Sequence, residues 1–145
     1  MTMHVLLVED SPGDVRLTRE ALRDANVKLE LHVASDGVDA IAFLGREGDH
    51  EKAPRPDLIL LDLNLPRMDG REVLAHIKAD DALRMIPTII LTTSELEADI
   101  VTSYELRANS YLSKPVQLDR FENLVKSIND FWLTKAKLPK QGRSK

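Results

Sequence analysis

The chain has 145 residues, 43% of them hydrophobic and 30% charged, which fits one compact domain and excludes a disordered or fibrous polymer. A formal net charge of -4 offers phosphates no general attraction, so direct nucleic-acid binding is not expected. The absence of cysteine excludes a disulfide scaffold, a thiolate zinc site and a cysteine nucleophile together. No stretch approaches the roughly 20 apolar residues of a membrane helix, and the start lacks an export signal, so a cytoplasmic location is the expectation.

In chain order, Val5 to Val8 is a continuous apolar run of the kind found in strands buried on both faces, and it leads directly into Glu9 and Asp10. Ser11, Pro12 and Asp14 mark a helix start, followed by Leu17, Ala21 and Ala25 at a spacing of four. Leu29 to Ala34 alternates and reads as a second strand. The polar segment Gly45 to Pro56 reads as an exposed loop. Leu58 to Leu61 is a third strand, and Asp69 with Glu72 opens another helix. Ile89 to Leu91, after Pro87, predicts a fourth strand, with Ser94 and Glu97 starting the next helix. A short strand over Ser110 to Leu112 precedes a helix whose apolar positions Phe121, Leu124, Val125, Ile128, Phe131 and Trp132 keep a 3.6-residue period.

Five βα units predict an α/β fold, a doubly wound five-stranded parallel sheet with helices on both faces. Residues 1–133 form the domain. Residues 134–145, basic and containing Pro139 and Gly142, are expected to form a tail without an output domain.

In such a sheet the ligand site lies beyond the carboxyl ends of the strands. Glu9, Asp10, Asp62, Thr92, Thr93 and Lys114 all fall there. With the strand order 2-1-3-4-5, Glu9, Asp10 and Asp62 crowd together, which is unfavourable without a cation. A divalent ion with oxygen ligands is implied, and Mg²⁺ is the usual choice beside phosphate. Asp62 is then the natural nucleophile toward a phosphoryl group, forming an acyl phosphate. Lys114 supplies a point charge to one of its oxygens, and Thr92 a hydrogen bond to another.

At these positions the chain resembles the response-regulator receiver family, over about residues 3–133. The resemblance implies the flavodoxin-like order 2-1-3-4-5, an acidic pair at Glu9 and Asp10, a phosphoacceptor at Asp62, and Mg²⁺ ligation by the Asn64 backbone carbonyl. It implies a switch in which Thr92 turns toward the phosphoryl group and Tyr111 turns inward. It also implies a Lys114-Pro115 bond of the kind commonly cis in that family. Such a protein is not an enzyme in the ordinary sense, since it catalyses only its own phosphorylation and dephosphorylation. More narrowly, Arg55-Pro56, Leu60-Leu61-Asp62-Leu63-Asn64-Leu65-Pro66, Asp69-Gly70-Arg71-Glu72-Val73-Leu74, Leu91-Thr92-Thr93-Ser94, Ser103-Tyr104-Glu105-Leu106 and Phe131-Trp132-Leu133 with Leu138-Pro139 are similar to phytochrome-associated single-domain regulators. That implies a partner histidine kinase of the phytochrome or bacteriophytochrome type, and a homodimer formed through the fourth helix, fifth strand and fifth helix.

Competing readings remain on the residues alone. Glu9 and Asp10 can serve as helix-capping acids, and Asp62 as the polar end of a buried strand. An aspartyl-phosphate phosphatase would carry a second Asp two residues after its nucleophile, where Asn64 stands. A flavodoxin-like cofactor binder would need a glycine- and hydroxyl-rich loop after the first strand, where Glu9-Asp10-Ser11-Pro12 repels phosphate. The third alternative is a binding module of the same shape that works without phosphorylation. Phe131 and Trp132 face about 100° apart on a helix, so one of them is expected at an interface, as is Tyr104. His4, His32, His50 and His76 lie in separate elements without metal-ligand spacing and read as structural or surface positions.

Overall fold

A strand that is apolar at every position needs packing on both faces, and β1 (Met3–Val8) finds it. Val5 and Leu7 enter one core cluster, Leu6 and Val8 another. β3 (Leu58–Leu61) and β4 (Thr88–Thr92) divide their residues in the same way. The edges are β2 (Leu29–Ala34) and β5 (Ser110–Ser113), which are only partly buried, and this accounts for the alternation in β2. All pairings are parallel, in the order β2-β1-β3-β4-β5, the doubly wound flavodoxin-like order expected from the sequence. These features come from a computed structural model that describes residues 2–23, 28–93, 96–114, 118–133, 137 and 139.

Two layers of helix cover the sheet. α1 (Pro12–Leu22) and α5 (Leu118–Ile128) pack together over one face through Ala21, Leu22, Phe121, Val125 and Ile128. α2 (Gly37–Gly45) and α3 (Gly70–Ala79) cover the other through Phe43, Leu44, Leu74 and Ile77, while α4 (Glu97–Glu105) lies against β5. Among the described residues no helix is long and apolar enough to cross a membrane.

The helix starts follow the capping chemistry. Ser11 Oγ accepts from Asp14 N at 3.3 Å with Pro12 in the first turn, and Asp69 and Glu72 form a reciprocal capping box at α3. α4 departs from expectation. Leu96 occupies its cap position and makes no side-chain capping bond there, while Ser94 lies outside the described residues, as do Ala25 and Pro115. The Gly45–Pro56 loop contains one short 3₁₀ turn, Gly48–His50.

α5 continues as a π-helical turn over Asn129–Leu133, which carries the two terminal aromatics. Trp132 packs against the α1/α5 core, whereas Phe131 is 54% exposed, its ring edge-on to the indole at 5.5 Å. Of the two adjacent aromatics, Phe131 is thus the one left mainly at the surface, while Trp132 is half-buried.

Asp36 closes the first turn of α2. Its carboxylate accepts from Asp39 N at 2.7 Å and from Arg67 Nε and Nη2 at 2.9 and 3.1 Å. The amide bond first, then the guanidinium, hold its carboxyl below the usual range. A depressed folded-state pKa stabilises the fold above the unfolded value of about 3.9 and loses that contribution as pH falls through the folded value. Asp36→Ala should cost about 1 kcal/mol at neutral pH in urea unfolding, and the difference from the parent should shrink as the solution is acidified. A difference independent of pH would contradict this role.

Candidate functional site

The carboxyl ends of parallel strands share one rim, so residues distant in sequence meet there. Register aligns Val8 with Leu61, which places Glu9 and Asp10 beside Asp62. Oxygen atoms from the three carboxylates lie within 4.8 Å of one another; Glu9 and Asp62 are buried and Asp10 is exposed. The backbone secures Asp62 through its N–H, which donates to Val8 O at 3.1 Å.

Lys114 follows β5, and its N–H donates to Thr92 O at 2.7 Å. From there its ammonium reaches across the end of β4 to donate to Glu9 Oε1, to Asp14 Oδ2 at 3.0 Å and to Asp62 Oδ2 at 3.1 Å. The second Asp62 oxygen accepts from Asn64 N at 3.2 Å. Burial pushes the Glu9 carboxyl up, against the bond from Lys114. Burial alone would lower the Lys114 pKa, but the bonds and attraction from Glu9, Asp62 and Asp14 outweigh it and hold the ammonium charged well above its usual range.

Glu9, Asp10, Asp62, Asn64 and Lys114 are thus brought together, with Asp14 added. Asp14 reads in the sequence as a helix-start acid; its place in the first turn of α1, whose N-terminus faces the rim, was the available signal. Thr92 is fully buried at the end of β4, while Thr93 is exposed. Thr92 shares its sheet face with Ile90, whose cross-strand partner is Tyr111. Tyr111 is partly buried against the α2/α3 core cluster, and its backbone N–H donates to the hydroxyl of Tyr104 on α4 at 3.2 Å. Tyr104 is half exposed. Beyond the rim, Arg71 ties α3 to α4 by donating to Asp69 and Asp99.

Glycine at position 70 lets α3 approach the phosphoacceptor candidate. A Cβ there would lie 2.2 Å from Asp62 O and 2.6 Å from Leu63 Cα, and Gly70 N donates to Leu63 O at 2.9 Å. The loop carrying Asp62 and Asn64 is thereby pinned to the first turn of the helix.

Three carboxylates on one ammonium, with Asp10 beside them, leave an excess of negative charge at the rim. The donors are all oxygen, the set preferred by hard divalent ions, so Glu9, Asp10 and Asp62 can hold such an ion.

Residues 5–126 match the family model for the response regulator receiver domain. Response regulator Rcp1 of Synechocystis sp. is 50% identical over 135 residues, covering 93% of this chain and 92% of the relative. The Mn(2+)-bound form of Rcp1 superposes with a TM-score of 0.93 at 48% identity, over 95% of this chain and 99% of that one. The phosphorylated cyanobacterial phytochrome response regulator RcpA gives 0.94 at 48% identity, over 97% and 100%.

Proposed function

This chain belongs to the response regulator receiver family, and from that premise we propose that it accepts a phosphoryl group on Asp62 from a histidine kinase of the phytochrome type. The observation that carries the reading is the buried Asp62 carboxylate, bonded by Lys114 and flanked by Glu9 and Asp10. One Asp62 oxygen attacks phosphorus in line as the bond to the donor's leaving group breaks, giving an acyl phosphate. Lys114 then balances charge on a phosphoryl oxygen, and the Thr92 hydroxyl donates to another. Glu9, Asp10, Asp62 and the Asn64 carbonyl would hold Mg²⁺, which would supply charge neutralisation for the donor and the transferring group. The partner class is supported by similarity to Rcp1 and RcpA, the latter described as a phytochrome response regulator.

The chain's catalysis is confined to its own phosphorylation and dephosphorylation. Turning of Thr92 toward the phosphoryl group draws Tyr111 inward along their shared sheet face. The Tyr111 backbone N–H donates to the Tyr104 hydroxyl, so the strand that carries the switching ring is tied to α4.

Intact mass after incubation with a small phosphoryl donor tests the acceptor. The parent should gain one phosphate only when Mg²⁺ is present, and Asp62→Asn should gain none. An equal gain in the variant would move the acceptor elsewhere.

Leu96, Val101 and Tyr104 leave an exposed apolar surface around α4, and Phe131 adds an exposed ring beyond α5. We assign this side to homodimer contact through α4, β5 and α5. Sedimentation of the phosphorylated and unphosphorylated protein should reveal a dimer that Tyr104→Glu weakens; a monomer throughout at high concentration would refute the assignment.

A further inference from the structure

The opposite end of the sheet carries a second cluster of ligating side chains. Register pairs His4 with Glu30 and Leu6 with His32, so both histidines and the glutamate fall on one face of neighbouring parallel strands. Twenty-eight residues separate the two imidazoles in sequence, yet His4 Nδ1 and His32 Nε2 are 3.1 Å apart. Glu30 Oε1 is 3.8 Å from each of these nitrogens. The sequence-based view of His4 and His32 as unrelated positions is thereby corrected, because strand pairing creates a spacing that the primary structure does not display.

Three donor atoms converging in this way match the edges of a coordination polyhedron. Nitrogens bound to one ion at about 2.0–2.1 Å with tetrahedral angles lie roughly 3.3 Å apart. The imidazole pair is already at that separation. The Glu30 side chain is 60% exposed, so a small rotation brings its oxygen into range at little cost. The histidines are held more firmly. The His4 backbone exchanges bonds with Asp57, at 2.9 Å from His4 N to Asp57 Oδ2 and 2.7 Å from Asp57 N to His4 O. The His32 ring packs on Phe43 with centroids 5.3 Å apart. Both imidazoles keep about a fifth to a quarter of their surface open, leaving a path for an ion and room for a water in a further coordination position.

We propose that His4, Glu30 and His32 form a site for a divalent transition-metal ion of the Zn²⁺ class, clasping β1 to the edge strand β2. Two imidazoles with one carboxylate select borderline ions such as Zn²⁺ over Mg²⁺, which prefers oxygen donors throughout. The site is independent of the phosphoacceptor rim. Five residues of strand separate His4 from Glu9, about 16 Å at the usual rise.

Titration calorimetry of the full chain with Zn²⁺, in excess Mg²⁺ to occupy the acidic rim, tests the site. The parent should bind one equivalent and melt at a higher temperature with it. Glu30→Gln keeps the side-chain size at an exposed position and should weaken binding roughly tenfold or more, and His4→Gln with His32→Gln should abolish it. Co²⁺ on the parent should shift the His4 and His32 imidazole proton resonances, a readout that needs no variant. Failure of the folded parent to bind, binding unchanged in Glu30→Gln, or Co²⁺ shifts confined to residues at the Asp62 rim would each overturn the proposal.

Discussion

Lys114→Met is expected to lower the stability of the metal-free protein by about 3–5 kcal/mol and to slow phosphorylation of Asp62 by about a hundredfold. Both effects come from one ammonium. Lys114 is almost wholly buried and donates to Glu9, Asp14 and Asp62, so its removal leaves two buried carboxylates without their principal counter-charge. A divalent ion on the rim restores part of that balance. Chemical unfolding should therefore show a larger stabilisation of the variant by Mg²⁺ than of the parent, because the ion binds the folded state preferentially. Transfer should remain slow even with saturating Mg²⁺, since the phosphoryl oxygen facing β5 has lost its own donor. A variant as stable as the parent in chelator would show that the three bonds merely offset the cost of burying the ammonium.

Gly70→Ala is expected to cost about 3 kcal/mol and to impair phosphorylation, although residue 70 carries no functional group. The added methyl would lie far inside contact distance of Asp62 O and Leu63 Cα. Both obstacles are backbone, which cannot rotate away as a side chain does. Either α3 retreats, breaking the bond from Gly70 N to Leu63 O, or the β3–α3 loop shifts and carries Asp62 and Asn64 with it. Gly13→Ala serves as a control, because its new Cβ would meet nothing closer than Ser11 Oγ at 3.9 Å. That change should be neutral or slightly stabilising. Equal melting temperatures for the two variants would exclude the steric account.

Local chemistry alone accounts for much of what the sequence discloses. The runs at Val5, Leu58 and Ile89 announce strands covered on both faces, because no other common environment accepts an unbroken apolar stretch of that length. The caps at Ser11 and Asp69 are equally local, since the bonds they make span two or three residues. With five βα units established, the acids after the first and third strands and Lys114 after the fifth had one rim on which to meet.

Other features depend on distances that a linear string does not hold. Asp14 joins the lysine because α1 starts at the rim, and Trp132 rather than Phe131 meets the core because of how the end of α5 is rotated against it. The clash that reserves position 70 for glycine arises from the approach of α3 to β3. The His4, Glu30 and His32 cluster follows from the register of β1 on β2, where a shift of one residue would send these side chains to opposite faces. Sequence by itself determined which strands are buried, where α1 and α3 begin and which residue types gather at the phosphoacceptor rim. Tertiary structure decided the pairings across elements, because register and helix approach are set by the packing of the whole core.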